Sequence, residues 1–383
     1  MSTDSSAKTQ THKVTLIPGD GIGPEITRAM QTVVAATGVS INWEVVEAGE
    51  CAIAKYGTPL PDDVVASIRR NKVALKGPLT TPVGTGFRSI NVTLRKILDL
   101  YVNLRPALSF KGTGARYDDV DIVLFRENTE DLYAGIEFEV GSEGARRIAD
   151  VVSELDAGTI RADAGLSLKP ISEFGSRRIM KAAMEYAIAN GRKKVTIVHK
   201  ANIMKHTDGL FLRVCREVAA EYAEIAPQIE VDDFIVDATC MRLVINPAQY
   251  DVLVCPNLFG DIVSDLCAGL VGGLGLAPGG NIGDKEALFE PVHGSAPSYA
   301  GRDMANPTAL ILSAVMMLRH LGEVVAADRI QQAVAAVIEE GKVLTYDLCR
   351  TRYGTTDGAA GTQAYAEAIA TKMGQGDGSG VPL

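Results

Sequence analysis

The feature that most constrains the fold is the alternation of short, β-branched apolar runs with longer segments of helical periodicity. Runs that resemble buried strands lie at residues 14–17, 121–125, 194–198 and 251–254. Apolar residues recur at helical spacing over 25–36, 176–190 and 309–322, and Ser176 is a candidate cap for the second of these helices. The pattern predicts an α/β protein with a substantial parallel sheet, and it predicts that the methionines of the last helix belong to the core.

Composition excludes several classes of function. The chain has 383 residues and a formal net charge of −9, which argues against nonspecific binding to nucleic acid or to anionic membranes. The longest apolar-rich run, 309–318, is too short to cross a bilayer, and the first residues lack the pattern of a signal peptide. The six cysteines form no C-x-x-C pair, so we expect reduced thiols and a cytoplasmic protein of one or two domains.

The glycine-rich opening Ile17-Pro-Gly-Asp-Gly-Ile-Gly-Pro24 follows a predicted strand and precedes a predicted helix. A dinucleotide fingerprint would occupy this position, but Pro24 stands where its third glycine belongs. The residues therefore argue against a Rossmann site, and a tight strand-to-helix turn is the simpler interpretation.

Two further segments place arginines where they could bind an anion. Ser89, Asn91 and Arg95 are spaced so that their side chains could converge in a helix, and Arg105 offers a second planar guanidinium for a carboxylate. Arg126 ends an apolar strand, and Tyr133 follows seven residues later. Taken singly, arginines beside a glycine-rich loop are more often surface residues.

Charged residues suited to proton transfer and to a metal follow in the second half. Lys200 comes directly after an apolar strand, where it requires a partner, and Asp237 is a plausible one. Asp261 and Asp265 are four residues apart and would share a helix face, an arrangement that suits Mg²⁺ or Mn²⁺ but is also common on solvated helices. The glycine-rich residues 272–283, followed by 290–301, allow close approach to a flat or phosphorylated ligand, although such loops also occur without function.

In combination, these motifs resemble the β-decarboxylating dehydrogenases, the isocitrate/isopropylmalate dehydrogenase family, over roughly residues 13–370. The resemblance rests on P-G-D-G-I-G-P-E, K-G-P-L-T-T-P-V-G, F-R-E-N-T-E-D-L-Y-A-G-I-E and N-L-x-G-D-x-x-S-D. It implies that family's α/β fold, with large and small domains that share a continuous sheet, and not a Rossmann fold. The implied divisions are a large cofactor domain (1–98 and 271–383), a small substrate, metal and dimer domain (99–130 and 173–270), and a clasp-like excursion (131–172).

The resemblance also implies roles for individual residues. The substrate carboxylates would be held by Ser89, Asn91, Arg95, Arg105 and Arg126, and Tyr133 would be the acid that protonates the enol. Lys200 would be the base, and both it and the metal ligand Asp237 would come from the second protomer of a homodimer. Mg²⁺ or Mn²⁺ would be completed by Asp261 and Asp265, and the cofactor would be bound by Thr80, Glu290, His293, Gly294, Ala296, Ser298, Tyr299, Asn306 and Tyr346.

The expected reaction is the oxidative decarboxylation of isocitrate to 2-oxoglutarate and CO₂. The polar residues of 88–91 suit a third carboxylate; homoisocitrate, 3-isopropylmalate and tartrate are the alternatives, as is a non-catalytic regulatory subunit. Ser298 and Ala305 differ from the residues that NADP-type members carry, whereas Tyr299, Tyr346 and Arg350 match them. Residues 302–309 resemble the corresponding stretch of NAD-type members, so NAD is slightly favoured over NADP. We expect no nucleic-acid or membrane partner.

Overall fold

The computed structural model describes residues 11–80 and 89–374. Ten of its strands form one continuous sheet in the order β2-β1-β3-β12-β11-β4-β5-β10-β8-β9, and β6 and β7 form a separate antiparallel pair. The strands are β1 (His12–Ile17), β2 (Ile41–Val45), β3 (Val73–Lys76), β4 (Val102–Leu108), β5 (Asp121–Glu127), β6 (Glu137–Phe138), β7 (Leu166–Ser167), β8 (Lys194–His199), β9 (Glu230–Ile235), β10 (Val252–Cys255), β11 (Pro278–Ile282) and β12 (Ala287–Pro291).

The large sheet has two parallel halves with an antiparallel centre. Strands β2, β1, β3 and β12 are mutually parallel, as are β5, β10, β8 and β9. Between the halves, β12, β11, β4 and β5 pair antiparallel. The predicted parallel sheet and the single sheet shared by both halves are confirmed, and the antiparallel centre is an addition to them.

Helices cover both faces of the sheet, as expected for largely parallel strands. They are α1 (Gly23–Ala35), α2 (Glu50–Tyr56), α3 (Asp62–Asn71), α4 (Ile90–Ile97), α5 (Glu143–Glu154), α6 (Glu173–Ala189), α7 (Asp208–Tyr222), α8 (Val236–Ile245), α9 (Asn257–Leu270), α10 (Thr308–His320), α11 (Val324–Glu340), α12 (Tyr346–Tyr353) and α13 (Thr362–Gly374). No helix in the described ranges is both long enough and apolar enough to span a membrane.

One predicted helix start was wrong. Helix α6 begins at Glu173, and its cap is Ser172, whose side chain accepts a hydrogen bond from the Gly175 amide. Ser176 lies inside the first turn, where its hydroxyl donates to the Ser172 carbonyl. Both serines precede the apolar stripe, so the sequence pattern alone did not separate the two caps.

The largest core cluster joins α1, α10, α11 and α13 to β1, β3 and β12. Helix α10 is buried on nearly all sides, and Met317 is fully buried, which confirms the predicted core role of this segment. A second cluster packs α6 and α7 against β5, β8 and β10. All six cysteines are free thiols, as expected.

The segment between β5 and α6 leaves the main body of the sheet. Its two short strands, β6 and β7, pair only with each other, and α5 lies between them. Strand pairing is continuous across the large sheet, so the sheet itself marks no boundary between domains. The proposed limits of the two domains and of the excursion therefore stay a prediction.

Candidate functional site

The antiparallel centre of the sheet places two arginines on one face. Arg126 on β5 lies opposite Asn103 on β4, and Arg105 is two positions from Asn103, so the three side chains project the same way. Arg105 Nε donates to Asn103 Oδ1 at 2.6 Å, and Arg126 Nε donates to Asn257 Oδ1 at 2.9 Å. Strand register therefore brings together two guanidinium groups that are 21 residues apart in the chain.

A third arginine reaches the same place from helix α4. Ser89 caps this helix by accepting a hydrogen bond from the Val92 amide at 3.5 Å. Arg95 lies in its last turn, largely buried, and one of its terminal nitrogens donates to Glu290 Oε1 at 3.1 Å. Burial and the charges of Arg126 and Arg95 lower the pKa of Arg105 to about 10, so the three cations lie close enough to repel one another.

Each of the three arginines has a buried nitrogen that has no hydrogen-bond partner among the described residues. These atoms are Arg95 Nε, Arg105 Nη1 and Arg126 Nη2, and the buried Asn91 Oδ1 is also without one. Unpaired buried donors are costly, and clustered positive charges add to that cost. A polyanion with several carboxylates would supply the missing acceptors and the missing negative charge.

Glu290 is a buried carboxylate of the protein that offsets part of the positive charge of this cluster. Its two carboxylate oxygens pair with Lys76 at 2.7 Å and with Arg95 at 3.1 Å, and Asn281 donates to it at 2.7 Å. Glu290 and Lys76 are both almost fully buried. The predicted cofactor contact of Glu290 stays untested, and in this structure its carboxylate is occupied as a buried counter-ion.

Tyr133 contacts the arginine cluster through Asp261. Its hydroxyl donates to Asp261 Oδ2 at 2.5 Å, Arg126 pairs with Asp261 Oδ1, and the Arg126 guanidinium lies 4.7 Å from the Tyr133 ring centre. Burial and the hydrogen bond to Asp261 raise the pKa of Tyr133, so the phenol stays protonated at neutral pH. A protonated phenol beside an anion site is suited to act as a general acid.

Asp261 and Asp265 both lie on α9, one turn apart, as predicted. Burial alone would raise the pKa of Asp261, but Arg126 and the hydrogen bond from Tyr133 lower it; burial raises the pKa of Asp265. No three histidine, cysteine, aspartate or glutamate side chains among the described residues are grouped to hold a metal ion. The two carboxylates suit a hard divalent cation, whose remaining ligands would come from water, from substrate or from a second copy of the chain.

Lys200 and Asp237 form an ion pair with each other, as the sequence predicted. The Lys200 ammonium pairs with Asp237 Oδ1, and the Asp237 side chain remains 68% exposed. The hydrogen bond from Lys200 lowers the pKa of Asp237. Within one chain, Asp237 does not join Asp261 and Asp265 in a three-carboxylate group.

Three loops meet at the ends of β1, β3 and β12, where the cofactor residues were predicted. Gly19 and Gly21 both have positive φ, and a Cβ at either would come within 2.3 Å of the Pro78 carbonyl or 2.0 Å of the Ser295 carbonyl. The Thr80 amide donates to Asp20 Oδ2 at 2.8 Å, and the Thr80 and Ser295 hydroxyls are 2.6 Å apart. The opening glycines therefore form a tight turn that lets these loops pack backbone to backbone.

The remaining predicted cofactor residues lie within residues 293–306 and at the start of helix α12. The Tyr299 and Tyr346 rings stack with centres 5.5 Å apart, and Asn306 donates to Asp347, the next residue of α12, at 2.9 Å. His293 Nε2 is buried without a partner, and burial lowers the pKa of this imidazole. Ala296 has φ +39, and Gly294 and Ser298 are exposed. A free imidazole nitrogen and a pair of stacked rings suit a flat heteroaromatic ligand.

A well-formed cavity in the described part of the chain lies elsewhere. It has a volume of about 510 Å³ and is lined by Leu104, Pro106 and Leu108 of β4, among others. These residues alternate with Arg105, so the cavity opens on the opposite face of the sheet. It contains none of the predicted site residues, and the candidate site rests on its chemistry, not on cavity size.

The structure adds residues that the sequence reasoning missed. Lys76 ends an apolar strand, the same signal that identified Lys200, yet it was not singled out. Asn103, Asn257 and Asn281 orient the arginines and Glu290; Asn257 opens the motif N-L-x-G-D-x-x-S-D, whereas no local pattern marks the role of Asn103 or Asn281. Residues 81–88, which include Arg88, lie outside the described residues.

Comparison with known proteins agrees with these observations. Residues 13–369 match the family model "Isocitrate/isopropylmalate dehydrogenase". The chain is 49% identical, over 90% of its length and 89% of the relative's, to a mitochondrial protein of Dictyostelium discoideum named as a regulatory subunit of isocitrate dehydrogenase [NAD]. It is 45% identical to isocitrate dehydrogenase [NADP] of Archaeoglobus fulgidus, over 93% and 91% of the two chains. The crystal structure of isocitrate dehydrogenase from Methylococcus capsulatus superposes with a TM-score of 0.84 at 52% identity, covering 94% of this chain and 99% of that one.

Proposed function

The chain belongs to the isocitrate/isopropylmalate dehydrogenase family, and from that premise we propose that it oxidatively decarboxylates isocitrate to 2-oxoglutarate and CO₂ while reducing NAD. The observation that carries the proposal is the cluster of Arg95, Arg105 and Arg126, each with a buried nitrogen that has no partner within residues 11–80 and 89–374. Isocitrate has three carboxylates, and its binding would satisfy these donors and offset their charge.

Tyr133 and Lys200 divide the proton transfers in this proposal. Lys200 takes the proton of the substrate hydroxyl during hydride transfer, and Tyr133, held in its protonated form beside Asp261, returns a proton to carbon after CO₂ leaves. Asp261 and Asp265, with Asp237 from the second protomer, would hold Mg²⁺ or Mn²⁺. When bound, the cation would withdraw electrons from the substrate oxygens as a Lewis acid.

Substrate choice is assigned to the start of α4. The Ser89 hydroxyl oxygen accepts the capping hydrogen bond from Val92, so its proton remains available to a carboxylate. Asn91 offers a side-chain amide one turn from Arg95. The apolar isopropyl group of 3-isopropylmalate would leave these polar groups without partners, which disfavours it by several powers of ten.

NAD is proposed as the preferred cofactor over NADP. Ala305 is buried and apolar, and the exposed Ser298 carries no charge, so neither supplies a cation for a 2′-phosphate. The opposing feature is Arg350, which is exposed and lies close enough to Tyr346 for its charge to offset part of the rise in the Tyr346 pKa that burial causes. If Arg350 bound that phosphate, Arg350→Gln would reduce catalytic efficiency with NADP only.

A homodimer with shared active sites would explain two features of the surface. Lys200 and Asp237 pair with each other beside solvent and not with Asp261, as expected if both serve the partner's site. Near Asp237 in the fold, α8 exposes Met241 and Ile245, and the adjacent α9 exposes Ile262. Burying such a face would complete the site and remove apolar surface from water. A cytoplasmic location stays a prediction.

The test is steady-state turnover of the purified chain. Isocitrate and 3-isopropylmalate would each be assayed with NAD and NADP, with and without a chelator, and the oligomeric state would be measured by light scattering. We expect turnover of isocitrate by a dimer, loss of that turnover on chelation, and recovery with Mg²⁺ or Mn²⁺. Absence of turnover by the pure chain would overturn the proposal in favour of the non-catalytic subunit, and faster turnover of 3-isopropylmalate would overturn the substrate assignment.

A further inference from the structure

A buried cation links two buried carboxylates outside the arginine cluster. Lys169 follows the short strand β7, and its ammonium lies 2.7 Å from Asp208 Oδ2 and 3.7 Å from Asp131 Oδ1. Neither aspartate is exposed to solvent at all, and the Lys169 side chain is only 14% exposed. Buried carboxylates at these positions require a positive partner, and Lys169 supplies it to both.

Asp131 connects this lysine to the segments that carry Tyr133 and Asp261. Its side chain accepts hydrogen bonds from the Leu132 amide and from the Leu258 amide, both at 2.8 Å. Leu258 lies in the first turn of α9, one turn before Asp261. Asp131 also holds a positive φ of +66, a conformation that persists in a non-glycine residue only when its surroundings enforce it.

Asp208 connects the same lysine to the segment that carries Lys200. Asp208 Oδ1 accepts a hydrogen bond from the Lys200 amide at 2.9 Å, at the point where the chain leaves β8. Lys169 also lies 4.7 Å from the ring centre of Phe259 in α9. One ammonium group therefore contacts the anchors of the Tyr133 turn, the Lys200 loop and helix α9.

We propose that Lys169, Asp131 and Asp208 are positioning residues that hold the groups used for proton transfer. This inference rests on the proposed function, because it takes Tyr133 and Lys200 as the acid and the base. Since Lys200 serves the partner's site and Tyr133 the chain's own, one buried link sets the geometry of both sites to which a chain contributes. None of the three residues forms a hydrogen bond or an ion pair with Arg95, Arg105 or Arg126 in the described part of the chain, so substrate binding is expected to depend on them less than proton transfer does.

The test compares Lys169→Met with Lys169→Arg and with a matched control, Arg192→Met. Arg192 also joins two aspartates, Asp121 at 2.7 Å and Asp251 at 2.9 Å, with its side chain 19% exposed. Those aspartates lie at the start of β5 and just before β10, at the opposite ends of the strands from Arg126. The dimeric holoenzyme would be assayed for kcat and KM, and amide hydrogen exchange would be followed over 131–135, 200–204 and 257–261.

We expect Lys169→Met to lower kcat by about 100-fold, because small displacements of positioned groups are that costly. KM for isocitrate should stay within about threefold. Lys169→Arg should recover most of kcat, and exchange should accelerate over all three segments in Lys169→Met and in none of them in Arg192→Met. If Lys169→Met does not fold, Asp208→Asn takes its place in both measurements.

Two results would overturn the proposal. The first is a normal kcat in Lys169→Met with unchanged exchange, and the second is an equal loss of kcat in Arg192→Met, which would indicate a general effect of stability. If the wild-type chain does not turn over isocitrate, the proposed function fails by itself. The hydrogen exchange still decides whether Lys169 orders the three segments together.

Discussion

Replacing Glu290 by glutamine should destabilise the protein far more than its modest change in size suggests. The carboxylate is 4% exposed and pairs with Lys76 at 2.7 Å and with Arg95 at 3.1 Å. Lys76 is 1% exposed, and among the described residues its ammonium otherwise donates to the Gly77 carbonyl alone. Removing one partner of a buried pair costs about 3–5 kcal/mol, and glutamine keeps one acceptor oxygen, so we expect a loss of about 3 kcal/mol.

The assay is guanidinium-induced unfolding followed by circular dichroism at fixed protein concentration, with Glu286→Gln as the control. Glu286 pairs with Lys72 at 2.9 Å, but the Lys72 side chain is 55% exposed, and the ammonium can be solvated when the pair is lost. We expect the control to lose at most about 1 kcal/mol. The reasoning from burial would be refuted if Glu290→Gln lost no more unfolding free energy than the control Glu286→Gln.

The difference in unfolding free energy between wild type and Glu290→Gln should depend on pH, and the direction of this dependence follows from the pKa of Glu290. Burial alone would raise the pKa of Glu290, but the charges of Lys76 and Arg95 lower it well below its usual value of 4.5. A carboxyl group with a lowered pKa contributes stability above the pKa of the unfolded chain and loses it as the pH falls. The difference in the free energy of unfolding between wild type and Glu290→Gln should therefore be constant near neutral pH and should decrease below about pH 4.5.

Three further outcomes follow from the site. Tyr133→Phe should slow the formation of 2-oxoglutarate from the oxidised intermediate by about 100-fold and oxidation much less, because only the protonation of carbon needs the phenol; measuring 2-oxoglutarate formation from the oxidised intermediate separately from NAD reduction tests this, and equal loss in both contradicts the assignment. Asp265→Asn should raise the Mg²⁺ concentration needed for half-maximal turnover by at least about 10-fold, with Asp163→Asn as an exposed control. Ser89→Asp should lower kcat/KM for isocitrate by repelling its carboxylates, whereas Ser89→Ala should do so much less; because aspartate keeps the helix cap and alanine does not, equal effects would point to the loss of the serine hydroxyl and not to charge repulsion.

Much of the site was predictable because its residues follow apolar strands. Arg126 and Lys200 both come directly after β-branched runs, where a charged group requires an oppositely charged partner. In the structure, Arg126 pairs with Asp261 and Lys200 pairs with Asp237. Lys76 carries the same signal, but its partner Glu290 is 214 positions away, and no local pattern indicates that these two residues pair. The link through Lys169 was missed for the same reason, since its three residues span 77 positions.

The antiparallel centre of the sheet was not predictable from strand composition. Strand β11 reads Pro-Gly-Gly-Asn-Ile, and β4 contains asparagine, arginine and proline, so neither shows the β-branched enrichment that marked the other strands. Proline and glycine usually argue against a central strand. Here the small residues admit the Arg105 side chain, since a Cβ at Gly279 would lie 3.3 Å from Arg105 Nε, and function thus overrides propensity.

The order of strands in the large sheet has a consequence for how the chain folds as it is synthesised. Strands β5, β8, β9 and β10 come from one continuous stretch, 121–255, and can pair as soon as that stretch is complete. The other half cannot, because β3 pairs with β12 and α1 packs against α13, both of which come much later in the chain. Strands β1 and β3 and helix α1 must therefore keep apolar surface exposed until β12 and α13 have been synthesised, and we expect these elements to be the region on which chaperones act.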